Sequence, residues 1–429
     1  TQEDGTTATF TVVLKSQPLA DVAIMSISSS DLTEGTVTPS TLVFTQSNWN
    51  SPQTVVVAGV NDDVDDGDQN YTIELTGVIS SDELYNGFNV EHVVVSNSDN
   101  NTAGIRVGEI SRPTTEAGGS ATFNVVLESK PTANVTIMGI GSNDSGEGSA
   151  SRNTMVFSPS NWNIPLTVTV TGVNDNVDDG DQNYAIELAT VISADERYNG
   201  LNVADVAVSN SDNNTAGMSI SAISNNTAED GTTATFTIEL DSQPSSSVII
   251  GVSSSDSTEG TASTAILSFT SNNWNSPQTV TVTGVNDDVD DGDQAYSIVL
   301  AAAISDDSDY HDSNPNDVVL TNIDNNTTGM TVSAISRNTA EDGTTATFTV
   351  VLASEPTNDV TVGVSSTDTT EGTVAISGLT FSASNWNTPQ TVTVTGVNDD
   401  IDDGDQAYSI VLAAATSSDS NYNGVNPDD

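Results

Sequence analysis

Four nearly identical runs of carboxylates are the residues of this sequence best suited to chemistry. The first reads Asn-Asp-Asp-Val-Asp-Asp-Gly-Asp over residues 61–68, and close copies begin around Asp175, Asp287 and Asp399. Several carboxylates of one run must lie close together. At about 5 Å and an effective dielectric constant near 20, each like-charged pair costs about 3 kcal/mol. Each run is therefore expected to bind a cation.

The ligand atoms indicate which cation fits. Carboxylate oxygens suit hard divalent ions, Ca²⁺ first. The sequence has no cysteine and only two histidines, His92 and His311, at non-equivalent positions, so softer metals lack matching ligands. An EF-hand loop is excluded, because alignment on Gly67 places Val64 and Ile73 where its third and twelfth ligands belong. We therefore predict calcium sites assembled from several loops.

The segments that carry these runs repeat along the chain. The motif Asn-Trp-Asn recurs at Trp49, Trp162, Trp274 and Trp386, in steps of 113, 112 and 112 residues. A period of this length is that of a domain with its own core, unlike the short unit of a solenoid. We therefore predict four domains, at residues 1–102, 103–215, 216–327 and 328–429, and refer to them as repeats.

Within a repeat the hydrophobic pattern has a period of two. Ala234, Phe236, Ile238 and Leu240 alternate with polar residues, as in a half-buried strand. Similar runs give about seven strands per repeat, and no segment has a helical period. Each acidic run lies between a Thr/Val strand and an aromatic-led strand such as the one at Tyr71, so it forms a loop at one end. The sequence predicts an all-β chain of tandem immunoglobulin-like Greek-key β-sandwiches.

Composition excludes several classes of function. The 60 acidic residues against 7 Lys plus Arg give a formal net charge of -53, which excludes nucleic acid or an anionic membrane surface as a partner. Without cysteine, disulfides, thiol catalysis and thiolate metal sites are excluded. No apolar run of about 18 residues exists, so no membrane span is predicted. No signal peptide is recognised either, and we expect the mature or excised part of a secreted or cell-surface protein.

Four features of each repeat resemble the Calx-beta domain. They are a Glu-x-Gly opening before an Ala-Thr-Phe strand, a Ser-x-Asp after the second strand, the Asn-Asp-Asp-x-x-Asp loop, and an Asp in the segment between repeats. The resemblance spans almost the whole chain. It implies a β-sandwich with a Ca²⁺ cluster at one tip, bound by carboxylates from these four places.

Carried over position by position, the resemblance implies one site in each repeat. The first would use Glu3, Asp31, Asp62, Asp63, Asp66 or Asp68, and Asp99. The second would use Glu116, Asp144, Asp175, Asp179, Asp181 and Asp212. The third would use Glu229, Asp256, Asp287, Asp288, Asp291, Asp293 and Asp324. The fourth would use Glu341, Asp368, Asp399, Asp400, Asp403 and Asp405, without a closing Asp.

The second repeat departs from this pattern at one position. It has Asn176 where the other repeats have a second loop aspartate. Because calcium affinity follows the charge of the ligands, the second repeat is expected to bind its last ion more weakly than the third. Asn176→Asp is accordingly expected to tighten that site.

Each feature also has a plainly structural interpretation. An acidic loop can be solvated surface, but here the acid is concentrated at fixed places while the strands carry Thr and Ser on their outer faces. The Trp of each Asn-Trp-Asn is expected to anchor packing rather than to bind sugar. Four near-copies in convex loops, without an insertion that would make a cleft, argue against a paired-carboxylate glycosidase. No enzyme activity is predicted.

The segments between repeats indicate a mechanical function. Residues 99–104 read Asp-Asn-Asn-Thr-Ala-Gly, too short and too acidic for a flexible tether, and a cation bound beside Asp99 would stiffen them. The sequence thus predicts an extracellular calcium-stiffened rod, stalk or filament of a bacterial cell surface. The alternative is an adhesive module that binds a glycan or a partner protein. A third interpretation is that the acidity is an adaptation to salt or a mineral-binding surface. That would predict acidic residues on the strand faces as well as in the loops.

The two ends of the sequence differ from the internal borders between repeats. No segment like 218–223 precedes Glu3, and no segment like 317–322 closes the fourth repeat, so a first and a last strand are expected to be missing. Either the chain is a window on a longer array, or copies of the chain complete each other's sheets in a filament. The unbroken register of the repeats favours the window.

Overall fold

The computed structural model describes residues 1–399 and 401–427. These residues form strands, turns and loops, and no helix among them is long and apolar enough to cross a membrane. The chain divides into two compact units. The first unit comprises residues 1–175 and 179–213, and the second comprises residues 176–178 and 214–429.

The strands of the first unit are short and follow one another through tight turns. The first repeat contains β1 (Thr7–Val12), β2 (Val22–Ser29), β3 (Gly35–Thr38), β4 (Leu42–Phe44), β5 (Gln53–Gly59), β6 (Gln69–Ser80) and β7 (Val93–Asn97). The second repeat contains β8 (Ile105–Val107), β9 (Thr114–Thr115), β10 (Ser120–Leu127), β11 (Val135–Met138), β12 (Gly141–Ser142), β13 (Gly148–Ala150), β14 (Thr154–Phe157), β15 (Leu166–Gly172), β16 (Gln182–Glu187), β17 (Val191–Ser193) and β18 (Val206–Ser211).

The strands of the second unit repeat this plan. The third repeat contains β19 (Met218–Ile220), β20 (Thr227–Ala228), β21 (Thr233–Leu240), β22 (Val248–Ser254), β23 (Gly260–Ala262), β24 (Ile266–Phe269), β25 (Gln278–Gly284), β26 (Gln294–Leu300) and β27 (Val318–Ile323). The fourth repeat contains β28 (Met330–Val332), β29 (Thr345–Leu352), β30 (Val360–Ser366), β31 (Gly372–Val374), β32 (Gly378–Phe381), β33 (Gln390–Gly396) and β34 (Ile410–Leu412).

The third repeat shows the topology most clearly. One sheet has the strand order β19-β21-β25-β23, and the other has the order β20-β27-β26-β22-β24. Strand β19 pairs antiparallel with β21, whereas β20 pairs parallel with β27, so the chain changes sheets before its long strands begin. Later connections also cross from sheet to sheet, as in the Greek-key sandwich of immunoglobulin-like domains. The predicted fold class is confirmed.

The period-two pattern of the sequence becomes the inner face of each sheet. In β21, Ala234, Phe236 and Ile238 are at most 1% exposed, while the threonines between them lie on the outer face. The register places Phe236 opposite Val280 of β25, so the apolar positions of both strands face the same core. Burial of the apolar positions therefore specifies the register, because a slip by one residue would expose all of them.

Each repeat has its own hydrophobic core. One phenylalanine of every repeat is fully buried, and it is the last residue of a short strand: Phe44 of β4, Phe157 of β14, Phe269 of β24 and Phe381 of β32. The tryptophans of the Asn-Trp-Asn motif pack partly buried against the cores of the last three repeats, at Trp162, Trp274 and Trp386. This is the anchoring role expected for these tryptophans.

In each repeat a tyrosine packs against the glycine of a Glu-Gly pair. The ring of Tyr184 lies against Gly148, where an added Cβ would meet ring atoms at 2.4 Å. The Tyr184 and Thr114 hydroxyls share a hydrogen bond of 3.0 Å. The same close approach pairs Gly35 with Tyr71, Gly260 with Tyr296, and Gly372 with Tyr408. Because Gly148 directly follows Glu147, the tyrosine defines the position of that glutamate.

Replacing Gly148 by alanine should destabilise the second repeat. The new Cβ would have to displace the Tyr184 ring, and such overpacking costs about 1–3 kcal/mol. The matched control is Gly141→Ala in the same repeat, since an added Cβ there meets no heavy atom within 4 Å. Urea unfolding of the full chain should show the loss for the first variant and little change for the second. Equal stabilities would show that the tyrosine contact imposes no constraint.

Candidate metal centre

Three carboxylates converge at one end of the first repeat. They are Glu34, which directly precedes β3, and Asp62 and Asp66 of the acidic loop between β5 and β6. One oxygen of each lies within 4.8 Å of the other two. Oxygens that share a Ca²⁺ ion at about 2.3–2.6 Å lie within about 5 Å of one another, so this spacing suits a shared ion. The same triad recurs as Glu147, Asp175 and Asp179, as Glu259, Asp287 and Asp291, and as Glu371, Asp399 and Asp403.

A buried asparagine holds the glutamate of the triad in place. Asn97, the last residue of β7, is 1% exposed, and its Nδ2 donates to Glu34 Oε2 at 3.3 Å and to the Val60 carbonyl at 3.0 Å. Equivalent amide hydrogen bonds join Asn210 to Glu147 at 3.1 Å and Asn322 to Glu259 at 3.4 Å. The amide supplies a hydrogen bond but no charge, so the negative charge of the triad remains.

The backbone of the acidic loop positions the two aspartates. Asp62 Oδ1 accepts a hydrogen bond from the Val64 N–H at 2.8 Å, and the Asp66 carbonyl accepts one from Gln69 Nε2 at 3.0 Å. Asp66 Oδ1 is buried and has no hydrogen-bond partner among the described residues. A buried carboxylate oxygen without a partner is costly, and a cation would satisfy it.

Glu3 and Asp99 complete the negative surroundings of the triad. Glu3 is 3% exposed, and its Oε2 accepts a hydrogen bond from the Asn100 N–H at 3.4 Å. Burial, together with the charges of Asp99, Asp62 and Asp66, raises the pKa of Glu3 to about 7. The pKa values of Glu116 and Glu229 are raised to about 7 in the same way.

Burial and repulsion act on the triad itself as well. Burial, followed by the charge of Asp62, raises the pKa of Asp66 above its usual range. Burial also raises the pKa of Glu34, and the charges of Asp66 and Asp62 add to the rise. The donor atoms are all oxygens, and their negative charges destabilise one another. This donor set fits a hard divalent cation such as Ca²⁺, which would neutralise the repulsion.

The aspartate that follows the second strand is not one of the three carboxylates of the triad, although the charge of Asp31 adds to the rise in the pKa of Glu34. Asp31 is exposed, and its Oδ1 accepts hydrogen bonds from the Thr33 N–H at 2.9 Å and from Thr33 Oγ1 at 2.6 Å. These bonds lower the pKa of Asp31. The equivalent aspartates are exposed and make similar turns, at Asp144, Asp256 and Asp368.

The aspartates of the joining segments are bound to the acidic loop. Asp99 Oδ2 accepts the Gly67 N–H at 2.7 Å, and Asp68 Oδ1 accepts the Asp99 N–H at 3.1 Å. The second repeat has the same pairs, Asp212 with Gly180 and Asp181 with Asp212. The third has Asp324 with Gly292 and Asp293 with Asp324. The predicted Asp68, Asp181 and Asp293 thus orient the joining segment from outside the triad.

The second loop aspartates also lie outside the triads. Asp63 Oδ1 accepts a hydrogen bond from Asn61 Nδ2 at 2.9 Å, and Asp288 Oδ1 accepts one from Asn286 Nδ2 at 3.0 Å. The predicted ligand Asp400 lies outside the described residues. The remaining predicted residues of the fourth repeat, Glu341 and Asp405, are exposed.

Sequence reasoning did not select the glutamate of the triad. Glu34, Glu147, Glu259 and Glu371 each precede a glycine and recur in steps of 113, 112 and 112 residues. This Glu-Gly pair recurs with the same period as the acidic loops, and that shared period could have indicated that the glutamate belongs to the same site. It went unused because a single acid between two short strands has no local pattern of a metal site.

The family profile of the Calx-beta domain matches the chain in four consecutive segments. They are residues 1–99, 98–212, 211–326 and 323–429. Together these segments cover the whole chain, so the resemblance seen in the sequence is confirmed. The boundaries given above for the four repeats stay a prediction. No curated protein matches the sequence.

Several solved structures are similar to parts of the chain. Calcium binding domain CBD12 of CALX1.1 has 12% identity and a TM-score of 0.22, covering 46% of this chain and 80% of that one. Domains 4-9 of surface layer protein SbsC have 14% identity and a TM-score of 0.21, covering 94% and 58%. A protein of unknown function from Porphyromonas gingivalis W83 has 9% identity and a TM-score of 0.19, covering 51% and 99%. At these TM-scores the likenesses carry no argument about function.

The ion-free chain should lose stability as the pH rises from about 4.5 to about 7. Burial and the charges of Asp212 and Asp175 raise the pKa of Glu116 from 4.5 to about 7, so in this window the native state holds a proton that the unfolded chain has released. The stabilisation that this proton provides is fully present below pH 4.5, the pKa of Glu116 in the unfolded chain. It is lost as the pH rises through about 7, the pKa of Glu116 in the folded chain. Carboxylates with lowered pKa values, such as Asp31, titrate below this window.

Thermal unfolding in EDTA at a series of pH values measures this effect. Glu116→Gln resembles the protonated glutamate. It should reduce the slope of melting temperature against pH by the contribution of this one group. A melting temperature that rises across the window would contradict the arrangement of charges described above.

Proposed function

The chain belongs to the Calx-beta domain family, and we propose that it is an extracellular structural stalk, rod or filament stiffened by calcium ions at the tip of each domain. One observation carries this proposal: a glutamate and two aspartates meet within 4.8 Å in all four repeats. A surface that was acidic only for solubility would have no reason to bring three carboxylates to one point four times. No catalytic role is proposed for these carboxylates.

The proposed ligands in the first repeat are Glu34, Asp62 and Asp66, with Glu3 and Asp99 beside them. Calcium supplies positive charge to this group when it is bound. The residues themselves supply oxygen donors on separate loops, and Asp66 Oδ1 has no other partner among the described residues. The equivalent residues are proposed as ligands in the other repeats: Glu116, Glu147, Asp175, Asp179 and Asp212; Glu229, Glu259, Asp287, Asp291 and Asp324; and Glu371, Asp399 and Asp403.

Hydrogen bonds hold the segment that leaves the first repeat against the acidic loop. Asp99 Oδ1 accepts the Asn101 N–H at 2.7 Å, and Asp65 Oδ2 accepts the Ala103 N–H at 2.7 Å. Asp99 therefore ties the segment to the ion site, and Asp65 ties it to the neighbouring part of the acidic loop. Without an ion, the repulsion between Asp99 and Asp66 opposes this arrangement. A bound cation removes the repulsion between Asp99 and Asp66, while the hydrogen bonds to the Asn101 and Ala103 N–H groups remain.

Side chains add a second tie inside the first unit. Arg197 of the second repeat forms an ion pair with Asp65 of the first. The Arg197 side chain is 50% exposed, so this pair contributes little to stability by itself. Asp65 nevertheless contacts both Arg197 of the second repeat and the Ala103 N–H of the joining segment. The ion pair therefore favours one orientation of the first two repeats.

An extracellular setting agrees with this use of calcium. A structural support must be occupied continuously, and extracellular calcium modules achieve this with dissociation constants of about 10⁻⁴ to 10⁻³ M. The absence of cysteine in the sequence makes calcium, rather than disulfides, the available means of stabilisation. The formal net charge of -53 also favours cations as partners.

Calcium should raise the melting temperature of the chain, and EDTA should lower it. An ion at one hundred times its dissociation constant stabilises the native state by about 2.7 kcal/mol per site. Glu34→Gln should abolish or weaken binding in the first repeat, as measured by calorimetry of the full chain. The control is Glu74→Gln, which removes the same charge from an exposed position of β6.

Two results would oppose the proposal. A melting curve that moves with neither millimolar calcium nor EDTA would refute calcium binding. Equal calcium affinity and stoichiometry in the Glu34→Gln and Glu74→Gln variants would exclude Glu34 as a ligand.

A further inference from the structure

One residue of the acidic loop has a left-handed backbone conformation although it is not glycine. The φ angle is 66° at Asp63, 72° at Asn176 and 68° at Asp288. Asparagine and aspartate are the side chains that tolerate this region best, whereas β-branched residues are strongly disfavoured there. The three residues occupy the same place, directly after the first aspartate of each triad. Position 63 and its equivalents therefore share a backbone requirement that both Asn and Asp satisfy.

The side chain at this position is not a member of the triad. Asn61 and Asn286 donate to the carboxylates of Asp63 and Asp288. The second repeat has the uncharged Asn176 here, yet its triad brings its ligand oxygens within 4.8 Å, as in the other repeats. The geometry of the triad therefore does not depend on a carboxylate at this position.

The carbonyl group of the same residue makes a contact outside its own loop. In the first unit, the Asp63 carbonyl of the first repeat accepts the Lys130 N–H of the second repeat at 2.7 Å. In the second unit, the Asp288 carbonyl of the third repeat accepts the Glu355 N–H of the fourth at 2.8 Å. The Asn176 carbonyl, also in the second unit, accepts the Gln243 N–H at 2.8 Å. Both donor and acceptor thus belong to the main chain, and the contact recurs although the donating residue is Lys, Gln or Glu.

The donor of this hydrogen bond is part of a rigid corner. Ser129, the residue before Lys130, is fully buried, and both its N–H and its Oγ are hydrogen-bonded to the Tyr198 hydroxyl, at 3.1 and 2.9 Å. The Tyr198 hydroxyl also donates to the Ser129 carbonyl at 2.6 Å. Ser354 and Tyr422 make the same three bonds beside Glu355, at 3.0, 2.9 and 2.7 Å. The carbonyl of the acidic loop therefore meets a backbone N–H beside a buried, hydrogen-bonded corner.

We propose that Asp63, Asn176 and Asp288 are positioning residues rather than ion ligands. Their left-handed conformation turns a main-chain carbonyl out of the loop and onto the buried serine-tyrosine corner. The triad aspartates lie on both sides of this carbonyl, as Asp62 and Asp66 do in the first repeat. An ion that holds both aspartates fixes the segment between them and, with it, the docking carbonyl.

This inference rests on the proposed calcium function and deepens it. It names the group through which an ion in the first repeat orders the second, and an ion in the third repeat orders the fourth. It also replaces the ligand role that the family resemblance implied for Asp63 and Asp288. Asn176 is then equivalent to its aspartate counterparts, and the second repeat should not have a weakened site.

Calorimetry of the full chain with calcium tests the first half of the proposal. Asp63→Asn, Asp288→Asn and Asn176→Asp should each leave the calcium affinity and stoichiometry unchanged within about twofold, because no ligand charge is altered. Asp62→Asn is the matched control. It removes one charge from the neighbouring residue and should weaken the first site about tenfold or more, since calcium affinity follows the charge of the ligands.

Distance measurements between spin labels test the second half. The chain has no cysteine, so labels at Ser47→Cys and Ser160→Cys, exposed and equivalent positions of the first two repeats, are unique. With saturating calcium the distance distribution should be narrow for the otherwise unchanged chain, for Asp63→Asn and for Asp63→Gly. Asp63→Val cannot readily adopt the left-handed conformation and should broaden it without loss of a calcium ion. Rescue by glycine separates the backbone requirement from the side chain.

Each outcome decides something definite. A lost calcium ion or a tenfold weaker site in Asp63→Asn, or tighter binding in Asn176→Asp, would overturn the positioning role and leave the calcium function standing. A narrow distribution in a folded Asp63→Val variant would overturn the docking role. No calcium binding by the unchanged chain would instead overturn the proposed function. The calorimetric variants retain the left-handed conformation, so they decide the ligand question even if Asp63→Val fails to fold.

Discussion

Mutual repulsion among carboxylates that the fold holds together is the constraint on which the rest of this structure depends. Glu34, Asp62 and Asp66 approach within 4.8 Å, and burial strengthens their repulsion because it withdraws the solvent that would screen it. The raised pKa values of Glu34 and Asp66 are the direct expression of this cost. The proposed calcium ion would offset this cost, and the oxygen donors suit such a hard cation.

The scaffold keeps the carboxylates from moving apart. Tyr71 packs against Gly35 and thereby places the preceding Glu34, while the buried Asn97 holds one of the Glu34 oxygens. These supports come from strands on different parts of the chain. The site therefore consists of a buried side, which carries the glutamate, and a less buried loop, which carries the aspartates.

The acidic loop serves two functions because its successive residues face different ways. Asp62 and Asp66 face the triad, while the Asp63 carbonyl and the Asp65 carboxylate meet groups of the following segment and repeat. The left-handed conformation at Asp63 is the local device that separates these two directions. In the proposed arrangement, ion binding and the orientation of the next repeat of the same unit share a few residues of backbone. The same left-handed conformation recurs at Asn176 and Asp288.

The sequence by itself determined the class of fold, the tandem Calx-beta domains and the type of donor atom offered to a cation, because alternation, period and residue type are properties of the linear order. It also singled out Asp62 and Asp66, which belong to a visible acidic run. Only the tertiary structure brought in Glu34, which the strands carry to the loop and which Asn97 holds from 63 positions away. It likewise placed Asp31 on the exposed surface and directed the Asp63 carbonyl toward the N–H of Lys130 in the next repeat. A sequence pattern records which residues are charged, but the sign of a φ angle and the partner across a sheet arise only when the chain has packed.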